Sequence, residues 1–243
     1  ELGTAYAVQK MKEMYTWDLA GRVGLIDFRG YSIEVNEFDY KAENAIIYED
    51  NGVTIRSFPA IHSLDGPVSF SLEWNGLKFV FSSDTYPNKW FIEQSRGADF
   101  VVHELFYTPE GLAQVLGWGA RQATFVSSYI HTPPSGFGKI MAAVEPRLAV
   151  GYHTIRQPEL DMMMIEEIRE VYDGPLVIAD DLMAWHISKD SIVQREVVSS
   201  ERVQAPPTTD GYRRAKRSGE ATYSDFTASG KWKGYTPPPL PGN

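Results

Sequence analysis

Apolar and polar side chains alternate along the first half of the chain, between residues 46 and 81. Such alternation is typical of strands with one buried face, and an Asn-Gly pair between two runs predicts a tight hairpin turn. Asn51-Gly52 and Asn75-Gly76 are two such pairs. The pattern predicts an antiparallel meander, with strands at 46–48, 53–58, 68–74 and 77–81.

In the second half of the chain, short and uninterrupted apolar runs alternate with helical patterns. Uninterrupted apolar strands are typical of a parallel sheet that is covered on both faces. Strands are predicted at 100–102, 148–152, 176–179 and 185–187, and helices at 89–95, 135–144 and 162–172. Hairpins followed by strand–helix alternation predict an α/β fold, a sheet sandwich with helices on its outer faces.

The two ends of the chain differ from this central part. Ala5, Val8 and Met11 have helical spacing and predict an opening helix. Pro, Gly, Ser and Thr dominate from residue 199, so residues 199–243 are expected to form an extended tail. The aromatic side chains of this tail indicate that it packs on the domain of residues 1–198 or on a neighbouring subunit.

Composition narrows the classes of protein that fit the chain. Of its 243 residues, 43% are hydrophobic, which is ample for a packed core. The formal net charge of −9 disfavours a nucleic-acid partner, because phosphate binding depends on clustered Lys and Arg. The absence of Cys excludes disulfides and thiolate metal sites. No apolar run approaches the roughly 20 residues that cross a bilayer, so no membrane partner is expected, while cytoplasm and periplasm both stay open.

Candidate chemistry lies where predicted strands end. His62, His103 and His153 each follow an apolar strand, and Asp84 follows another. Loops at strand ends gather ligands in α/β proteins, and imidazole with carboxylate is a ligand mix that zinc, manganese and iron(II) accept. A hydrogen-bonded structural histidine, or an aspartate that caps a turn or helix, is the alternative at each single position.

The order of these residues and their neighbours resembles a known family. The matching segments are Phe58-Pro59-Ala60-Ile61-His62, Phe81-Ser82-Ser83-Asp84-Thr85-Tyr86-Pro87-Asn88, Gly97-Ala98-Asp99-Phe100-Val101-Val102-His103-Glu104, His131-Thr132-Pro133 and Leu148-Ala149-Val150-Gly151-Tyr152-His153. Together they resemble the ribonuclease Z-like branch of the metallo-β-lactamase superfamily. The resemblance implies a hydrolase with the αββα sandwich of that superfamily, of which this chain would be the C-terminal two-thirds.

The resemblance also implies a set of metal ligands. In the family, the residue that matches His62 binds one metal ion and the residue that matches His153 binds the other. The residue that matches Asp84 bridges the two ions. Two divalent metal ions are therefore the expected cofactors, zinc first and manganese or iron as alternatives.

Further residues match the family outside this ligand set. The residue that matches His131 takes part in proton transfer, so His131 and Asp84 are the expected catalytic residues. His103 and Glu104 match a segment that orients the ligands without binding the metal. His186, which lies in the last predicted strand, is expected to be structural.

One motif of the family does not occur in these residues. The sequence His-x-His-x-Asp-His supplies most ligands of both metals in the family, and it is not found in the chain. Each ion would then have two protein ligands, where about three or four are normal. The chain is therefore expected to be a fragment or one piece of a split protein, whose N-terminal portion is supplied separately.

The expected function is hydrolysis of a small ester, lactone, amide or phosphodiester by a metal-activated water. The namesake activity of the branch is transfer-RNA processing. The net negative charge of the chain makes transfer RNA a less favoured substrate than these small molecules. Two alternatives stay open. One is a non-catalytic relative that uses the fold for binding or assembly. The other is a mononuclear oxygenase in which His62, Asp84 and His153 form a set of two histidines and one carboxylate.

Residues 107–129 are rich in Gly and aromatic side chains, and they lie just before His131. They are predicted to form a lid or a pocket wall, or else a contact with a neighbouring subunit. The second possibility rests on the apolar side chains Leu112, Val115, Leu116 and Trp118. A small-molecule substrate and a second copy of the chain are therefore the expected partners.

Overall fold

The computed structural model describes residues 3–154 and 156–196. These residues divide into two compact units, one over residues 3–37 and the other over residues 38–196. The predicted tail at 199–243 lies outside the described residues. Within the described part of the chain, no helix combines the length and the apolar character needed to span a bilayer.

The first unit contains two short helices and one 3-10 turn. Helix α1 spans Thr4–Met14, helix α2 spans Thr16–Gly21 and the turn spans Phe28–Tyr31. The backbone N–H of Ala5 donates a hydrogen bond to Oε1 of Glu37 at 3.0 Å, which satisfies one free donor at the start of α1. The predicted opening helix is present, although none of its residues is buried.

A seven-stranded sheet organises the second unit. Strands β1 to β7 span Ala45–Asp50, Val53–Pro59, Val68–Trp74, Leu77–Phe81, Phe100–Glu104, Leu148–Tyr152 and Leu176–Ile178. They lie side by side in chain order, with antiparallel pairing from β1 to β4 and parallel pairing from β4 to β7. The predicted meander and the parallel strands at 100–102, 148–152 and 176–179 are confirmed, whereas the strand predicted at 185–187 pairs antiparallel with Ile192–Glu196 in a separate two-stranded sheet.

Both Asn-Gly pairs form the predicted hairpin turns. Asn51 and Gly52 have φ angles of 52° and 76°, and Asn75 and Gly76 have φ angles of 51° and 72°. Two consecutive residues with positive φ are the type I′ geometry, whose twist matches that of the flanking strands. The two turns therefore set the registers of β1 with β2 and of β3 with β4.

Helices cover one face of the sheet and a hairpin covers the other. Helices α3 to α7 span Lys89–Ser95, Pro109–Leu116, Ala120–Phe125, Pro134–Val144 and Pro158–Arg169, and a π-helical turn spans Val126–Ile130. Side chains of all five helices share one buried core with Phe58, Val80 and Val101 of the sheet. On the opposite face, strands β8 (Met183–Ile187) and β9 (Ile192–Glu196) form the hairpin, where the ring of Trp185 lies 5.5 Å from that of Phe100. The predicted α/β class is confirmed.

The structure shifts the bounds of one predicted helix and decides between two alternatives for one side chain. The helix expected at 162–172 spans Pro158–Arg169 instead, because proline suits the first helical turn and two acidic residues there favour the start of a helix. A contact with a neighbouring subunit was one of two alternatives for Leu112, but this side chain is 1% exposed and belongs to the chain's own core. The reason is that the segment 107–129 folds into α4, α5 and the π-helical turn, and α4 packs its apolar side inward.

Candidate metal centre

Four strands end at the same edge of the sheet, and the candidate residues follow them. Strands β2, β4, β5 and β6 run in the same direction, because β3 is antiparallel to both of its neighbours and the later strands are parallel. His62 and Asp84 come three residues after β2 and β4, Glu104 ends β5, and His153 follows β6 directly. Because the carboxyl-end loops of neighbouring strands meet, residues far apart in the sequence converge here.

The converging side chains form two overlapping groups of donors. His62, Asp84 and His131 offer ligand atoms within 4.8 Å of one another, and so do Glu104, His131 and His153. The groups are also joined through Asp84, whose Oδ2 lies 3.4 Å from Nε2 of His153. The structure therefore brings together the three predicted metal ligands, the predicted proton-transfer histidine and the buried glutamate.

His103 lies away from this cluster. His103 and Glu104 are adjacent in β5, so their side chains point to opposite faces of the sheet. The His103 ring is fully buried, with its centroid 4.5 Å from that of Phe91 and 6.0 Å from that of Phe137. Its Nδ1 donates to the carbonyl of Glu104 at 2.7 Å, and burial lowers its pKa to about 4, which keeps the ring neutral. The ring packs against these two aromatic side chains of the core, on the face of the sheet opposite to the side chain of Glu104.

Glu104 is the buried acid at the centre of the cluster. Its side chain has no exposed surface, and this burial raises the pKa of the carboxyl, while hydrogen bonds from His131 and Thr85 lower it. Oε1 accepts from the backbone N–H groups of Thr85 at 2.5 Å and Thr132 at 3.1 Å. Oε2 lies 2.8 Å from Nδ1 of His131. Because a carboxylate only accepts hydrogen bonds, Nδ1 carries the proton and Nε2 keeps its lone pair.

Thr85 connects the loops that carry the candidate residues, and sequence reasoning missed it. Its Oγ1 accepts from the backbone N–H of Ile61 at 3.0 Å, directly before His62. Its carbonyl accepts from Oγ1 of Thr132 at 2.6 Å, directly after His131. Thr85 is completely buried, so these bonds are shielded from water. Its only signal in the sequence was its place directly after the predicted bridging carboxylate.

His153 has an unusual backbone. Its φ angle is 74°, in the left-handed region that few residues with a side chain adopt. Residues held in such conformations cluster at functional sites. The preceding residue, Tyr152, anchors the end of β6 by donating a hydrogen bond to the carbonyl of Ser82 at 2.8 Å, and burial raises its pKa to about 12. The strained residue therefore follows a firmly held strand end.

The donor chemistry of the cluster fits a divalent metal ion. Protein ligands bind zinc at about 2.0–2.2 Å, so two ligands of one ion lie at most about 4.4 Å apart. The candidate ligand atoms of each group lie within 4.8 Å of one another, which is close to this spacing. His62 gives separate support, because its Nδ1 contacts Oγ of Ser63 at 3.1 Å while its Nε2 is buried without a hydrogen-bond partner among the described residues. A buried ring nitrogen of this kind is unfavourable unless a donor or a cation satisfies it.

A cavity of about 280 Å³ opens beside His62. The apolar residues Pro59, Leu64 and Trp90 line it, together with the polar or charged residues Tyr40, Lys41 and Asp65. An apolar wall with a few polar groups is the usual composition of a small-molecule pocket. The position and size of this cavity suit a compact molecule that reaches His62.

Similarity to known proteins concerns the fold. No protein-family model matches the chain, and no curated protein matches it. Similar solved structures include the metallo-β-lactamase fold protein YhfI from Bacillus subtilis, with 17% identity and a TM-score of 0.41 over 58% of this chain and 51% of that one. Human tRNase Z, short form, has 15% identity and a TM-score of 0.35 over 46% of this chain and 40% of its own. A mutant of CmlA beta-hydroxylase has 10% identity and a TM-score of 0.38 over 54% and 30% of the two chains.

These structures include proteins with the metallo-β-lactamase fold, the fold that the sequence motifs predict. The chain spans about half the length of YhfI. At identities of 17% or less and TM-scores of 0.41 or less, these similarities assign no chemistry to the chain, and the candidate site rests on the chain's own residues.

Proposed function

We propose that this chain is part of a metal-dependent hydrolase of the metallo-β-lactamase superfamily, in its ribonuclease Z-like branch. The observation that carries the proposal is the convergence of His62, Asp84 and His131 within 4.8 Å, with His153 3.4 Å from Asp84. The sequence motifs select the same four residues. Motif and geometry are separate arguments, and both favour a metal centre.

Asp84 is the central ligand in this proposal. Its carboxylate shares one donor group with His62 and lies 3.4 Å from Nε2 of His153, which supports a bridging role between two divalent ions. Zinc is the expected metal, with manganese and iron as alternatives. A two-metal site needs more ligands than these side chains offer, so the proposal expects further ligands from residues other than these.

A bound divalent ion supplies a water whose pKa is lowered toward neutrality, which makes hydroxide available as a nucleophile. Proton transfer to the leaving group is assigned to His131, which Glu104 orients. Glu104 holds a proton on Nδ1 of His131, so Nε2 is the atom that can take up a proton and deliver it to the leaving group. His131 is 8% exposed, which keeps this exchange away from bulk water.

The substrate proposed is a small ester, lactone, amide or phosphodiester. The cavity of about 280 Å³ beside His62 is at the lower end of the range for small-molecule pockets. The net charge of −9 disfavours a polyanion such as transfer RNA, because no excess of Lys and Arg attracts its phosphates.

Zinc binding by the wild type and by Asp84→Ala tests the proposal directly. Asp173→Ala, which removes an exposed aspartate outside the cluster, is the matched control. We expect the wild type and the control to bind zinc in a calorimetric titration, and Asp84→Ala to lose zinc together with hydrolysis of chromogenic ester, lactone and phosphodiester substrates. Full hydrolysis by Asp84→Ala would refute the assignment.

A non-catalytic protein is a second candidate, favoured by the absence of His-x-His-x-Asp-His from these 243 residues. In that case the fold serves binding or assembly. The same titration separates the two candidates when a segment that carries His-x-His-x-Asp-His is supplied to the chain, because a chain that then neither binds zinc nor hydrolyses any substrate of the panel supports the non-catalytic one.

Self-association of the chain is a further part of the proposal. Phe125 and Tyr129 are 56% and 69% exposed and stack on one another with ring centroids 6.0 Å apart. Exposed neighbouring aromatic side chains are frequent in protein interfaces. We expect light scattering to give a dimer or larger assembly that the double substitution of both residues by Ser converts to a monomer. A wild-type chain that is monomeric at high concentration contradicts this part of the proposal.

A further inference from the structure

Phe106 lies against two of the imidazoles, and no sequence motif assigned it a role. Its ring stacks on that of His131, with centroids 4.2 Å apart and planes 17° apart. It also stacks on His153, with centroids 5.4 Å apart and planes 28° apart. One apolar side chain therefore contacts two residues of the candidate metal centre.

The backbone fixes Phe106 in this position. Its N–H donates to the carbonyl of Thr132 at 2.9 Å, directly after one of the stacked histidines. The N–H of Leu105 donates to the carbonyl of Tyr152 at 2.6 Å, directly before the other. Because each bond ends one residue away from an imidazole, the position of the Phe106 ring is tied to both histidine loops.

His131 needs a constraint that its hydrogen bond does not provide. Glu104 holds Nδ1 at 2.8 Å, which fixes the direction of one ring edge but leaves the ring free to tilt about that contact. The His62 ring approaches at an angle of 62°, with centroids 4.9 Å apart, and so gives little resistance to tilt. A nearly parallel aromatic ring at van der Waals distance resists it, because any tilt loses stacking contact.

His153 needs the same support for a different reason. Its side chain is 35% exposed, and its backbone has the left-handed φ of 74°. A residue held in a sparsely populated conformation keeps it only where its surroundings fix it. The Phe106 ring is an apolar surface that this imidazole packs on.

We propose that Phe106 is a positioning residue at one divalent-metal centre, where it holds the plane of His153 for metal binding and the plane of His131 for proton transfer. This inference rests on the proposed function, because only a shared centre requires the relative tilt of the two rings to be fixed. Two aromatic contacts of ordinary strength correspond to about a ten-fold change in metal affinity.

The test compares Phe106→Leu with Phe106→Tyr in the full chain. Leu removes the ring and keeps the apolar character, whereas Tyr keeps the ring. Phe79→Leu is the matched control, because it removes a ring that packs against Phe100 on the other face of the sheet. Two measurements are made on each protein: the imidazole ring signals of the histidines by NMR without metal, and the affinity for Zn²⁺ alone by calorimetry.

We expect Phe106→Leu to shift the ring signals of His131 and His153, because it removes a stacked ring current, and to weaken Zn²⁺ binding about ten-fold. Phe106→Tyr should restore the affinity, and Phe79→Leu should change neither quantity. Phe106→Leu with unmoved signals, or with wild-type affinity, overturns the inference. A wild type that binds no Zn²⁺ contradicts the proposed function instead, and nuclear Overhauser contacts of the two imidazoles in metal-free Phe106→Leu, which report ring orientation and not ring current, then decide whether Phe106 positions the two rings.

Discussion

Replacement of Glu104 by Gln tests the buried centre of the cluster with a change of one functional group. The Gln side chain has the same shape, so its oxygen can still accept from the backbone N–H groups of Thr85 and Thr132. The other end becomes an NH₂ group that faces Nδ1 of His131, where the carboxylate oxygen accepted at 2.8 Å. Two donors then point at each other unless His131 moves its proton to Nε2.

The expected loss of unfolding free energy in Glu104→Gln follows from the hydrogen bond that this variant cannot make. A hydrogen bond to a charged group contributes about 1.5–3 kcal/mol, and this one is buried, so we expect the free energy of unfolding to fall by that amount. With an m-value of about 2 kcal/mol per molar urea, the unfolding midpoint should move by about 1 M. Supporting carboxylates of this kind contribute roughly 10- to 100-fold to metal affinity or activity, and a similar loss is expected in zinc affinity.

Urea unfolding and nitrogen NMR of the imidazoles measure the two effects. Glu167→Gln is the control, because Glu167 also accepts a backbone N–H, that of Ser135 at 3.2 Å, but lies outside the cluster. The control should unfold within about 0.5 kcal/mol of the wild type. If Glu104→Gln leaves both the urea midpoint and the His131 tautomer unchanged, the hydrogen bond between the two side chains is not what orients the ring.

Three further substitutions test other parts of the site. His131→Ala should keep zinc at the wild-type ratio in elemental analysis and lose turnover; loss of zinc would instead make His131 a ligand. Gly151→Ala should lower the free energy of unfolding in urea by about 1–3 kcal/mol, since the new Cβ would lie 2.7 Å from Cδ2 of Leu105. An unchanged free energy of unfolding would show that the Leu105 side chain moves aside. Arg156→Ala should lower the free energy of unfolding by about 1–2 kcal/mol, because Nε of Arg156 donates a hydrogen bond to Oδ2 of Asp161 at 2.8 Å in the segment that follows His153. Wild-type stability would show that this bond does not stabilise the segment.

The sequence predicts the parts of this molecule that depend on neighbouring residues. Alternation and the Asn-Gly pairs are local signals, and they give the meander and both of its turns. The predicted convergence of His62, Asp84 and His153 depends on strand direction, which strand order and the uninterrupted apolar runs suggest.

The sequence does not predict contacts that depend on side-chain direction or on distant partners. His103 and Glu104 are adjacent, and the motif alone does not say which of them faces the site. Thr85 acts through a partner 47 positions away, Thr132, and no local pattern marks such a pair. The helices within residues 107–129 were missed because Gly117 and Gly119, which begin and end them, made the whole segment resemble a loop.

The outer strand β1 has a consequence for how copies of this chain can meet. Among residues 3–154 and 156–196 it is the last strand at one end of the sheet order, and an outer strand edge of this kind invites another strand. An irregularity in the pairing between Ile46 and Tyr48 bends this edge, and the charged residues Glu49 and Asp50 follow it. A second copy that added a strand here would bring like charges together along an irregular strand. The charges and the irregularity therefore disfavour edge-to-edge association of sheets from different copies.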